Sequence, residues 1–309
     1  MRQIPGTDLD VHQLCLGGNV FGWTSDETTS FAVLDAYVDA GGNFIDTADA
    51  YSVWVPEHSG GESETVIGNW IRKRGRHDDV VIATKVGAMG GVSADNVRQK
   101  AEDSLRRLDI EAIDLLYIHR DDGETPVEET LGALDELVND GKVRYIAASN
   151  YSPERLTDAL GASERDGLAR FCALQPGYNL VSREYEEALE PVVAENDLAC
   201  IPYYGLASGF LTGKYRPDGE RVDSPRGGMA AQHLKTDVGL RTLEALDEVA
   251  AAHDTSVAAV ALAWLAAQPT VLAPIASARN TDQLAELLDF TELELSEEEL
   301  ARLSAASDA

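Results

Sequence analysis

Long apolar runs are missing from this chain of 309 residues. No stretch approaches the roughly 18 to 20 uninterrupted apolar residues that a bilayer-spanning helix needs. The opening MRQIPGTDLD has no basic-then-apolar layout of a secretory signal, so the expectation is a cytoplasmic protein with no membrane contact. Cysteine is scarce. Cys15, Cys172 and Cys200 each lie in an apolar run, without C-x-x-C spacing, and read as reduced core residues rather than as a disulfide set or a zinc site. In that compartment the Asn-Tyr-Ser sequon at Asn150 carries no weight. The six histidines show no paired ligand spacing, and no metal is expected. Positive charge is also short: 25 Lys and Arg face 54 Asp and Glu, for a net charge of -29. Only Lys73, Lys85, Lys100, Lys142, Lys214 and Lys235 are lysines. Nucleic acid, which is bound through dense positive charge, is not an expected partner. The acidic residues are spread over segments such as EEALE, DELVND and LSEEEL rather than gathered in a tail. Such a surface suits concentrated salt, where screening removes self-repulsion; an ordinary acidic surface is the plainer alternative.

What the chain does have is alternation. Short β-like runs recur between longer amphipathic stretches: 14–18, 43–46, 80–85, 112–119, 143–149, 171–175, 198–204 and 270–276. Eight βα repeats in a single domain, 1–309, predict a (β/α)8 TIM barrel, a fold that routinely uses 200 to 250 residues or more. A helix from 93 and another from 126 illustrate the intervening pattern. The second has Thr125 as the expected N-cap, Pro126 at the first helical position and Glu128 three residues after the cap. A doubly wound sheet fits less well, since GGNVFG from Gly17 misses the G-x-G-x-x-G spacing. The N-terminal MRQI and DVHQ segments read as a β-hairpin closing the barrel bottom. Residues 205–237, rich in Gly and Pro, form a connection after strand 7 too long to be idle, and read as a lid or binding loop. Within it SGFLTGKY only superficially resembles a phosphate loop: Ser208 stands five residues before Gly213 and Tyr215 follows Lys214.

Chemistry in a barrel of this kind gathers at the C-terminal strand ends. Asp46 ends the second strand, Lys85 the third and His119 the fourth, while Tyr51 lies in the loop after the second. Each has an ordinary reading alone: a turn-capping Asp, a solvated rim Lys, a core imidazole. Four at one mouth are harder to set down to chance. A lysine whose stem is buried by VVIAT needs a partner, and Asp46 is the candidate. A fixed positive charge beside the Tyr51 hydroxyl would favour the phenolate and lower its pKa from about 10 toward working pH, as a general acid requires. Trp23 and Trp54, in loops after strands 1 and 2, are either core aromatics or walls of a substrate pocket.

The blocks NFIDTADAYS, GGESETVIGNWI, VVIATKVG, SLRRLDIEAIDLLYIHR, GKVRYIAASNYS, ALQPGYNL and GFLTGKY follow one another in order. With them the chain resembles the aldo-keto reductases over essentially its full length, from Leu16 to the ARNTDQLAELL run at 278. The resemblance implies a tetrad in which Tyr51 protonates the carbonyl oxygen of a small substrate. His119 orients that oxygen, and Lys85 with Asp46 tunes Tyr51. Hydride would come from NADP(H), or pass back to it if an alcohol is the substrate. It also implies that Ser149, Asn150 and Gln175 hold the carboxamide and that Tyr203 stacks on the nicotinamide. The backbone around Leu206, Ala207, Gly209 and Leu211 would wrap the pyrophosphate with Gly213 and Lys214 close by, and Ser277, Arg279, Gln283 and Glu286 would meet the adenosine end. Arg279 suits a 2′-phosphate. Tyr204-Gly205 and Leu287 depart from the family pattern, where Ser-Pro and an adenine-contacting Asn are common. A second role comes with the resemblance, because potassium-channel beta subunits share the fold and cofactor site: that of a cofactor-binding sensor.

Overall fold

The computed structural model describes residues 1–308 apart from 218, 220, 221, 223, 225 and 226. Two short strands, β1 (Arg2–Gln3) and β2 (Asp10–Val11), pair antiparallel. Eight further strands form one parallel sheet: β3 (Cys15–Gly17), β4 (Phe44–Asp46), β5 (Val81–Val86), β6 (Ile113–Ile118), β7 (Val143–Ser149), β8 (Phe171–Gln175), β9 (Ala199–Cys200) and β10 (Ile275–Ala276). Their order is β10-β3-β4-β5-β6-β7-β8-β9, so neighbours in sequence are neighbours in space and the last strand returns to the first. The ring closes through Cys200 and the segment before β10: Cys200 N–H donates to Thr270 O at 2.9 Å and Leu272 N–H to Cys200 O at 2.8 Å. This is a (β/α)8 barrel with an N-terminal hairpin.

The strands are continuous apolar runs because both faces are buried. Phe44, Val81, Ala83, Leu115, Tyr117, Ala147 and Ala173 point into the barrel, while Ile45, Ile82, Leu116, Ile146 and Leu174 pack outward against the helices. The hairpin contributes Ile4, Leu9 and Val11 to the inner cluster, filling the barrel's lower end. Arg2 fastens it there, donating to the carbonyls of Ala266, Val271 and Leu272 at 3.4, 3.3 and 3.0 Å.

β9 and β10 are shorter than the runs 198–204 and 270–276 suggest. Pro202 and Pro274 have no N–H to offer a ladder, so pairing continues only as isolated bonds: Cys15 N–H to Pro274 O at 3.0 Å and Ile275 N–H to Pro202 O at 2.9 Å. The helix at 126 also starts differently from the capping-box expectation. It runs Val127–Asn139 with Pro126 at the cap position, and the Thr125 hydroxyl donates to Asp122 at 2.7 Å instead. The 205–237 connection carries structure of its own, a 3-10 segment at Ala207–Thr212 and a helix at Gly227–His233, while positions 218, 220, 221, 223, 225 and 226 lie outside the described residues. No single helix among the described residues is long and apolar enough to cross a membrane.

Candidate active site

Strand alternation decides which residues meet at the mouth. Side chains two apart face the same way, so Asp46 follows Phe44 inward, Lys85 follows Val81 and Ala83, and Ser149 follows Ala147. His119 lies two beyond Tyr117 and Gln175 two beyond Ala173 in the same sense. Five polar side chains thus cap an apolar barrel at one end. Tyr51, brought over by the loop after β4, completes the group.

Asp46 and Lys85 are buried, at 0% and 1% exposure. The Lys85 ammonium spends all three of its donors: on Asp46 Oδ1 at 2.5 Å, on Thr47 O at 2.8 Å and on the Tyr51 hydroxyl oxygen at 2.7 Å. Burial pushes Lys85 below its ordinary value, and the Asp46 carboxylate opposes that push. Asp46 Oδ1 also accepts from Gln175 Nε2 at 3.0 Å, and Oδ2 accepts from the Tyr51 hydroxyl at 2.7 Å. A half-buried phenol therefore sits between a saturated ion pair and the open cleft. The His119 ring lies 6.1 Å from the Tyr51 ring, edge-on, and its buried Nδ1 has no hydrogen-bond partner among the described residues. Burial, then the charges of Lys85 and Arg120, push it down to about 3, so the imidazole is neutral through the physiological range.

Beside this group lies a cleft of about 660 Å³, lined by Tyr51, His119, Ser149, Asn150, Gln175 and Tyr203 at one end. Leu206, Gly209, Lys214, Ser277, Arg279, Gln283 and Glu286 line the rest. Asn150 adopts a left-handed backbone (φ 54°), held by its Nδ2 donating to His119 O at 2.8 Å and Ser149 Oγ at 3.0 Å, while the Tyr203 hydroxyl donates to its Oδ1 at 2.7 Å. The side chains of Ala207 and Leu211 turn into the core. Trp23 and Trp54 line the cleft, edge-to-face at 5.3 Å. Tyr204 lines it too, with a left-handed backbone (φ 59°) and its ring 4.9 Å from that of Tyr203. Asn19, Ser208 and Arg120 are lining residues that sequence reading missed. Only Arg120 carried a signal, as the base following His119 in YIHRDD.

The residues present fit a long anionic ligand. A Cβ at Gly17 would stand 2.5 Å from Ser277 Oγ, so the backbone there is pared down at the cleft wall. Ala207, Ser208 and Gly209 are successively left-handed, a sharp loop turned around the cleft. Lys214 is pushed below its ordinary value by burial and then by the charge of Arg279, and neither base has an acidic partner among the described residues. Two cations lining one cleft, near enough for the charge of Arg279 to act on Lys214, suit phosphate.

Fold and cleft together define a (β/α)8 barrel protein with a deep cleft at its C-terminal mouth. The chain belongs to the aldo/keto reductase family, whose model matches residues 13–308, and so to an oxidoreductase family. Relatives include an uncharacterized oxidoreductase, YrpG, of Bacillus subtilis, 32% identical over 96% of this chain and 93% of that one. A probable voltage-gated potassium channel subunit beta of Oryza sativa is 34% identical over 92% and 89%. An aryl-alcohol dehydrogenase of Pestalotiopsis microspora is 29% identical over 98% and 81%.

Proposed function

We propose that this protein is a cytoplasmic, NADPH-dependent carbonyl reductase acting on aldehydes or ketones, or on the corresponding alcohols in reverse, with the whole chain working as one barrel unit. The observation that carries the reading is the buried hydrogen-bonded chain Asp46–Lys85–Tyr51, ending at a phenol that faces a cleft beside a neutral His119. A reduced nicotinamide cofactor held in the cleft would supply the hydride for the carbonyl carbon. Tyr51 gives its proton to the carbonyl oxygen, and the product is an alcohol. The Lys85 ammonium at 2.7 Å stabilises the phenolate left behind, and Asp46 keeps that ammonium charged in a dry site. His119, unable to take a charge near neutrality, orients the oxygen as a neutral donor. Ser149, Asn150, Gln175 and Tyr203 suit the nicotinamide end of the cofactor. The loop at Leu206 to Leu211, with Lys214, suits its pyrophosphate. Ser277, Arg279, Gln283 and Glu286 suit the adenosine end, with Arg279 directed to a 2′-phosphate.

Tyr51→Phe tests this. The variant keeps the ring but removes the proton, so NADPH affinity should survive while single-turnover hydride transfer falls about 10² to 10⁴-fold. Turnover at the wild-type rate would sink the assignment. The potassium-channel relative supports a second reading, a cofactor-binding sensor. Tight NADPH binding by a wild type that reduces nothing in a panel of aldehydes, ketones and sugars would favour it.

A further inference from the structure

The cleft inverts the charge of the molecule. Acidic residues outnumber basic ones 54 to 25 in the chain, yet the charged side chains that line the cleft among the described residues are Arg120, Lys214, Arg279 and a single acid, Glu286. Lys214 and Arg279 line the cleft near enough for the charge of one to act on the other. Arg120 is elsewhere. It lines the cleft as the residue directly after His119, whose ring packs 6.1 Å from that of Tyr51, so it belongs to the end where Tyr51 faces the cleft. The phosphates of a dinucleotide account for the first two cations and leave the third over.

Arg120 is not left over for want of neighbours. The next two residues are Asp121 and Asp122, either of which would ordinarily neutralise it. Asp121 is taken by Arg155, whose Nε and Nη2 donate to its two oxygens at 2.8 and 2.6 Å. Asp122 is taken by its own loop: Oδ1 accepts from the Glu124 and Thr125 amides at 3.0 and 2.8 Å, and Oδ2 from the Thr125 hydroxyl at 2.7 Å. Among the described residues Arg120 has no ion pair, and it stands exposed at the rim of the cleft. The same cleft is lined by the rings of Trp23, Trp54 and Tyr204, apolar surface suited to a flat ring.

We propose that Arg120 anchors an anionic group on the substrate, so that the preferred substrates are aryl aldehydes bearing a carboxylate. The inference rests on the carbonyl-reductase reading for the reaction, but the binding it describes does not depend on turnover. The guanidinium offers a planar pair of donors to a carboxylate, while His119 and Tyr51 address the carbonyl oxygen at the other end of the molecule.

The test compares 4-carboxybenzaldehyde with benzaldehyde at low salt, in wild type, Arg120→Leu and Arg120→Lys. In wild type kcat/KM should favour the carboxylated substrate, mainly through KM. Arg120→Leu should cut that preference about tenfold or more, and Arg120→Lys should restore part of it. In parallel, 4-carboxybenzyl alcohol and benzyl alcohol are titrated into the NADP⁺-saturated protein, with tryptophan fluorescence as the readout. The carboxylated alcohol should bind more tightly, by a margin that Arg120→Leu removes. If neither aldehyde is reduced but that binding preference persists, the reductase reading falls and the anchor stands. If wild type shows no preference, or Arg120→Leu weakens both members of each pair equally, Arg120 is no anchor.

Discussion

Asp49 lies between Asp46 and Tyr51 in the loop after β4, and it is in an unfavourable place for a carboxylate. It is 1% exposed, and neither oxygen has a well-formed hydrogen bond among the described residues. The nearby Glu64 carboxylate, itself 0% exposed, is occupied by the Thr84 hydroxyl at 2.5 Å and Arg107 Nε at 2.6 Å. Burial first, then the charge of Glu64, push Asp49 up to about 7, against partial relief from Lys100, Arg107 and the Ala50 amide. An unfolded chain releases this proton near 3.8, while the folded one holds it to about 7. Between those values the folded state binds the extra proton, so raising the pH costs stability. Below the lower value there is no cost, and above the upper one the cost is full. About three pH units at about 1.4 kcal/mol each set the ceiling near 4 kcal/mol. Asp49→Asn keeps the shape and cannot ionise. Its melting temperature should match wild type near pH 4, draw ahead as pH rises, and lead by about 3–6 °C at pH 8 to 8.5, since a chain of this length gives about 1.5 °C per kcal/mol. Melts of both proteins across pH 4 to 8.5 at fixed salt supply the difference curve, in which the other titrating groups cancel. A flat difference, or a variant that is less stable at high pH, would refute the reasoning.

Arg279→Ala should weaken NADPH by about ten- to a hundredfold, equivalent to ~1.5–3 kcal/mol, and NADH far less, as read by fluorescence titration. Equal losses would remove the case for a 2′-phosphate contact. With 54 acidic residues against 25 basic, the wild-type melting temperature should climb with KCl into the molar range; a curve that is flat or falling would make the acidic surface an ordinary one.

The barrel was legible because its strands are buried on both faces and stand out as apolar runs of the right length. The inward group was legible for a related reason. Once the run VVIATK is a strand, parity alone points Lys85 the same way as Val81 and Ala83, and the same count sends Asp46 and His119 inward. What escaped was whatever depends on how partners are shared. That Asp121 and Asp122 are both engaged, leaving Arg120 beside the cleft, follows from an arginine 34 residues on in sequence and from a turn at 122–125. That Asp49 is buried without compensation requires knowing where Glu64 packs. That the side chains of Ala207, Phe210 and Leu211 are buried while Ser208 and Gly209 line the cleft follows from the kink at Ser208 and Gly209, which composition alone does not show. The tapering of β9 and β10 was readable from Pro202 and Pro274, by the rule that a residue without an N–H cannot extend a ladder.

The seam of the ring lies between β9 and β10. Where β6 and β7 share five register pairs, the seam has one bridge, Cys200 to Val271, and a few isolated backbone bonds braced from below by Arg2. Tyr203 stands just beyond one side of that join, and Ser277 and Arg279 just beyond the other. Anything lying along the cleft and touching both sides becomes a strap across the weakest joint of the barrel. Occupancy and closure are then coupled: amide protons at 200, 272 and 275 should exchange more slowly when the cleft is filled, and a chain whose seam is loosened should lose ligand before it loses its fold.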